Sequence, residues 1–151
     1  MPQYARPSTD ATGNGQFLNE SANNVTLWES INESVPSDTD YIISAKNPAS
    51  NVYVTKLTSV SDPLVDTGHV VNFRYKKDVA VNAEQIDLTI ELRQDYANEA
   101  SPGTLIANAA AGAFANISSA WTNGTFTLSN TAAGNITQYA NLFLRFTFNK
   151  P

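Results

Sequence analysis

The chain has 151 residues, nine Lys and Arg against fourteen Asp and Glu for a formal net charge of −5, and no cysteine. That length holds one domain able to bury its own core without staples, and the missing cysteine excludes thiol catalysis, disulfide frameworks and cysteine-based zinc sites. A pI near 4.6 argues against nucleic acid as a partner, because such binding relies on Lys and Arg displacing counterions, and no apolar run reaches the roughly 20 residues of a membrane span.

The start, Met1-Pro2-Gln3-Tyr4-Ala5-Arg6-Pro7, lacks the basic and apolar regions of a signal peptide, so synthesis in the cytoplasm with no membrane partner is expected. Only 15% of residues are charged, whereas Asn, Ser and Thr make up roughly 30%, against a usual charged share of about 25%. Short polar side chains suit turns and exposed strand faces, so the composition leans towards a sheet protein with many connections.

Residues 1–40 show no sustained alternation and many turn residues, as in Ser8-Thr9-Asp10-Ala11-Thr12-Gly13-Asn14-Gly15, and read as an extended N-terminal arm. Within it Val25, Leu27, Trp28 and Ile31 recur at spacings of three and four, which predicts a two-turn helix capped by Asn24 and plugging one end of the core. Pro36-Ser37-Asp38-Thr39-Asp40 then turns the chain into the first strand.

From Tyr41 the period changes to two. Between Gln85 and Gln94 the residues Ile86, Leu88, Ile90 and Leu92 alternate with Asp87, Thr89, Glu91 and Arg93. Burying those four aliphatics contributes about 6 to 12 kcal/mol before chain entropy is subtracted. Asn141–Asn149 repeats the pattern, with Phe143 alone among apolar residues on the polar face, and His69–Lys76 places His69, Val71, Phe73 and Tyr75 together. Shorter predicted strands are Tyr41–Ser44, Val52–Leu57, Thr104–Asn108, Phe114–Ile117 and Thr125–Leu128. Turn signals between these strands, with no helices alternating among them, predict an all-β fold. The expected form is an antiparallel jelly-roll-like sandwich of about eight strands over residues 41–151. A second short helix is expected over Asn130–Tyr139, capped by Asn130 and weakened by Gly134.

Chemistry-bearing constellations are sparse. His69 is the only histidine and falls on an apolar strand face, so it reads as a packed histidine that bonds locally and not as a base for a serine nucleophile. Asp87 and Glu91 share a strand face, but their Cα atoms would stand about 13 Å apart, too far for an obvious glycosidase couple. Asp38 and Asp40 make at most an incomplete calcium cage and more simply organise a turn. Of the aromatics, Trp28 sits on the helix stripe, whereas Trp121 beside Asn123-Gly124 reads as a loop-borne platform that could stack on a sugar. No enzyme, metal or cofactor is expected.

The segments Arg6-Pro7-Ser8-Thr9-Asp10, Leu27-Trp28-Glu29-Ser30-Ile31-Asn32-Glu33 and Asp38-Thr39-Asp40-Tyr41-Ile42, together with Phe126-Thr127-Leu128 and Asn141-Leu142-Phe143-Leu144-Arg145-Phe146, resemble small β-sandwich virion proteins of tailed bacteriophages. The Ala-rich stretch 107–115 departs from that pattern. The resemblance implies a capsid decoration or cement protein, assembled in the host cytoplasm, that binds the outer face of the shell through the major capsid protein as a homotrimer. Tyr4, Arg6 and Phe17 of the arm are then the candidate capsid contacts. The alternative is a tail-associated receptor- or carbohydrate-binding module with Trp121 as its contact.

Overall fold

A computed structural model describes residues 2–12, 16–78 and 84–151. Among these the fold is all-β, antiparallel and sandwich-like, with nine strands. They are β1 (Pro7–Thr12), β2 (Phe17–Asn19), β3 (Ile42–Ser44), β4 (Asn51–Leu57), β5 (Val70–Tyr75), β6 (Asp87–Gln94), β7 (Thr104–Asn108), β8 (Thr122–Thr127) and β9 (Leu142–Asn149). A five-stranded sheet in the order β1-β4-β9-β6-β7 forms one layer. Two separate ribbons, β2-β3 and β5-β8, supply buried residues to its inner face.

Period-two sequence places the layers. The register pairs Ile90 with Phe146, Leu92 with Leu144, Tyr53 with Phe146 and Thr55 with Leu144. Because side chains alternate across a strand, residues 51, 53, 55 and 57 share one face with 88, 90, 92 and with 142, 144, 146 and 148. That face carries the main cluster, in which Leu57, Leu88, Ile90, Leu92, Leu142 and Leu144 meet Val71 and Leu128 from the β5-β8 ribbon. At the other end Phe17 of β2 and Leu27 pack on Tyr53, with Ile42 of β3 and Phe146 and Phe148 beside them.

Three expectations change. The first concerns the arm: residues 7–12 are a strand on the edge of the main sheet, paired with β4 from Pro7 opposite Leu57 to Thr12 opposite Val54 with two register shifts. Residues 17–19 pair with β3. The segment before residue 41 therefore shares the core of the rest. Met1 and Gly13, Asn14 and Gly15 of its expected turn lie outside the described residues.

The second change is in the helices. Residues 27–31 form a 3-10 helix preceded by Thr26 in the left-handed region (φ 49°), not an α-helix capped by Asn24. Its first backbone donors go to Asp10 instead, whose carboxylate accepts from Leu27 N and Trp28 N at 2.8 Å each and from the Tyr53 hydroxyl at 2.7 Å. Burial, then the hydrogen bond and charge of Asp10, push the Tyr53 hydroxyl well above its ordinary pKa. The later helix α1 spans Asn130–Gly134, capped by Ser129, whose hydroxyl accepts from Ala132 N. It stops at the glycine that sequence marks as a weak helix position.

The third change lies in the middle of the chain, where residues 114–117 are turn and coil. They still bond to the edge of the main layer, through Leu88 N to Phe114 O and Ile117 N to Ile86 O. The short side chains before them, Ala109 to Ala113, supply no alternating apolar face to hold a full strand.

Candidate functional site

The outer face of the main sheet is closed. Phe143 is buried there against Val54 and Tyr96, so its place among polar neighbours belongs to a small second cluster, with Lys56 over its ring at 5.9 Å. Beside it Arg145 bridges Glu99 at 2.6 Å and Glu91 at 3.2 Å, and Arg93 holds Glu91 from the other side at 2.9 Å. The Arg145 hydrogen bond holds the Glu99 carboxyl below its ordinary range, while burial and Glu99 push the Tyr96 hydroxyl up to about 12. Asp87 accepts from Asn116 N at 2.7 Å. Asp87 and Glu91 thus hold backbone and guanidinium groups in place.

The inner face is different. Between it and the two ribbons runs a cleft of about 1420 Å³, floored by Leu57, Leu88 and Leu144 and walled by Ile43 on β3 and by Val71 and Phe73 on β5. Each ribbon has only its own partner strand, so β3 pairs with β2 alone and β5 with β8 alone among the described residues.

Polar groups gather around this apolar interior. Arg6 donates to Glu33 O, and burial, followed by a hydrogen bond to the Asp40 carboxyl, raises the Glu33 pKa. The His69 ring bonds through Nε2 to the Tyr139 hydroxyl at 2.9 Å, which is the local role its strand position predicts. Asp38 makes a two-pronged pair with Arg74, Nη2 to Oδ2 at 2.8 Å, and that hydrogen bond lowers the Asp38 pKa. The carboxylate is committed to a guanidinium, and Asp40 to Glu33, so the turn is not arranged as a cation cage. Among the described residues no three His, Cys, Asp or Glu side chains converge as metal ligands.

The sequence-predicted contacts scatter. Tyr4 is exposed (68%) with Arg6 stacked on its ring at 5.5 Å. The Arg6 backbone is pinned to Thr58 from both sides, N to Thr58 Oγ1 at 3.0 Å and Thr58 N to Arg6 O at 2.7 Å. Phe17 is 1% exposed and packs on Tyr53 at 5.7 Å and Phe148 at 5.8 Å. It is core and has no side-chain surface to offer a partner, which corrects its assignment as a contact. Trp121 is half-buried just before β8. Its ring lies against Tyr41 at 5.8 Å, with Lys76 at 4.8 Å and Arg74 at 5.7 Å. Trp28 is partly buried.

Sequence reasoning missed the cleft entirely. The signal available was the brevity of the apolar run in Tyr41–Ser44, too short to span a layer that seven- and eight-residue strands oppose. Chemically, the cleft offers shape, apolar contact and free strand edges; of the charged groups around it Arg74 is paired with Asp38, and Arg6 and Lys77 donate to carbonyl oxygens. Compared with protein-family models, with curated proteins and with solved structures, the chain has no match.

Proposed function

We propose that the protein is a non-enzymatic structural component of a virus particle, a decoration protein that docks on the outer face of a phage capsid. The reading rests on the sequence resemblance. One observation supports it above others: the pinned N-terminal segment presents an exposed Tyr4 and is tied to a loop that leads to further exposed apolar groups. Gln3 exchanges both amide hydrogen bonds with Ser61, Nε2 to Ser61 O at 3.0 Å and Ser61 N to Oε1 at 2.8 Å. This ties residues 2–6 to the loop that leads to Leu64 and Val65, 86% and 53% exposed. Exposed large apolar side chains are candidates for interaction surfaces, and an anchor already held by backbone bonds loses little entropy on docking.

The test is co-sedimentation of the chain with shells that carry no decoration, comparing wild type with Tyr4→Ala and Leu64→Ser. Because residues 7–12 are a strand of the main sheet, deleting the first sixteen residues would damage the fold, and point changes are the cleaner probe. Loss of sedimentation with an unchanged thermal midpoint is expected; undiminished sedimentation of the double variant would overturn the reading. Light scattering of the isolated chain checks the proposed trimer.

A glycan-binding module is the second reading. It draws on the hydrogen-bonding groups of Asp38, Arg74 and Asn123, which line a shallow hollow of about 370 Å³ next to Trp121. Sugar binding lost in Trp121→Ala would favour it, although Tyr41, Lys76 and Arg74 already occupy much of that ring's surroundings.

A further inference from the structure

We infer that the cleft between β3 and β5 is an acceptor slot for one extended strand of a partner polypeptide, apolar on alternate residues and bearing acidic ones. This goes beyond the reading above, since it concerns the interior slot and holds for whatever assembly supplies the strand.

Volume is the first argument. The cleft opens to solvent, yet its 1420 Å³ lies against the apolar side chains of Leu57, Leu88 and Leu144, where the rest of the sheet face is closely covered, and so offers room for an occupant. It exceeds the roughly 300 to 1,000 Å³ of ordinary small-molecule pockets. A strand residue in a sandwich layer takes about 160 Å³, given about 4.8 Å between strands, about 10 Å between sheets and about 3.3 Å of rise. The slot therefore holds about nine residues, close to the eight of β6 and of β9.

Free backbone edges are the second. Leu128 N donates to His69 O, and antiparallel ladders alternate bonded and non-bonded pairs. Val71 and Phe73 therefore face β8, while Val70, Asn72 and Arg74 turn their N–H and C=O groups to the other edge. On β3, Ala45 N donates to Gln16 O, so by the same alternation Ile42 and Ser44 turn theirs away from β2. A lipid could fill the apolar space but could not pair these groups; an added strand does both.

Charge is the third. The protein is acidic overall, yet Arg6, Lys46, Arg74, Lys76 and Lys77 line the cleft against Glu33, Asp40 and Asp78. Five of the nine cations but only three of the fourteen acids line it; Arg74 is paired with Asp38, and Arg6 and Lys77 donate to carbonyl oxygens, which leaves Lys46 and Lys76 as the charges a ligand would meet. A strand carrying carboxylates complements such a rim.

The experiment uses the full chain and a fluorescein-labelled ten-residue peptide alternating Val and Ile with Thr, with two Asp near one end, followed by anisotropy. Three companions complete it: the same peptide N-methylated on alternate amides, sodium oleate as competitor, and the Lys46→Glu/Lys76→Glu variant. Expected are saturable binding, new amide-exchange protection at Val70, Asn72 and Arg74, and at least about tenfold weaker binding of the N-methylated peptide. Weaker binding to the charge-reversed variant, at an unchanged thermal midpoint, is expected too. Equal binding of the N-methylated peptide, displacement by oleate, or no binding of the parent peptide would each overturn the inference.

Discussion

The two faces of the five-stranded sheet solve the same problem in opposite ways. On the outer face Phe143, Val54 and Tyr96 close a small apolar cluster and the Glu91, Arg93, Arg145 and Glu99 side chains pair above it. On the inner face four ribbon strands oppose five, and a cleft remains where a further strand would fit. The inner face therefore carries the larger apolar cluster but leaves space beside it, whereas the outer cluster is small and closed over by paired charges. Identical substitutions should cost more on one side than on the other, and this asymmetry can be measured.

The largest effect is expected where the layers are joined. Asp10→Ala strands two backbone N–H groups and the buried Tyr53 hydroxyl at once, which should cost about 3 to 4 kcal/mol in urea unfolding. A loss under about 1 kcal/mol would mean that water replaces the carboxylate and that the joint is not a stabilising one.

A glycine pair probes rigidity next. A Cβ at Gly103, after β6 and at φ +68°, would overlap the Gln94 carbonyl oxygen and come within 2.7 Å of Asp95 C, both backbone atoms. Gly103→Ala should cost about 3 kcal/mol. At Gly124 in β8 the clash is with the Phe73 ring, which lines the cleft. Side-chain rings can shift where backbone atoms cannot, so Gly124→Ala should cost less, about 1 to 2 kcal/mol; equal losses would mean that the aromatic cluster of Phe73, Tyr75 and Phe114 is as rigid as backbone.

Matched truncations come third. Val54→Ala removes two methyl groups from a fully buried outer position and should cost about 2 kcal/mol. Val71→Ala, buried on the cleft wall, should cost about 1 kcal/mol, since side chains beside the cleft can shift to fill the gap.

The smallest effects are in pH dependence, and they have opposite signs. Glu99 is held below its ordinary pKa by Arg145, so its contribution is present above about pH 4.5 and is lost as pH falls through the lowered value. Arg145→Met should flatten that acid limb. Glu33 is raised, so its charged form costs stability as pH rises above about 4.5. Glu33→Gln should raise the thermal midpoint at pH 7 and leave it unchanged at pH 4. A gain at pH 4 would mean that charge is not the cause.

Legibility in the sequence followed the same asymmetry. Strands β4, β6 and β9 were readable because one side of each is buried by the ribbons and alternation survives. Strand β1 was not, because Pro-Ser-Thr-Asp-Ala-Thr has no apolar alternation and is held at a sheet edge by pairing with residues more than 40 positions away. The 3-10 helix was placed correctly but mistyped, since its capping carboxylate comes from Asp10, seventeen residues before Leu27, and no local pattern carries that information. Phe17 stands in a polar segment, and its burial comes from Tyr53 and Phe148, far from it in sequence. The cleft is formed by the space between elements, to which no single residue testifies.

The position of β9 has a consequence for how the protein is made. It lies between β4 and β6, paired with both along six and eight residues, yet it is synthesised after both. Until Leu142–Asn149 emerges, β4 and β6 have no neighbour in common, and each holds an apolar, unpaired edge open to other chains. A nascent chain in that state is prone to aggregate. Expression yield should therefore depend on how quickly translation passes β9, and a stall or truncation just before Leu142 would leave two half-sheets with nothing to join them.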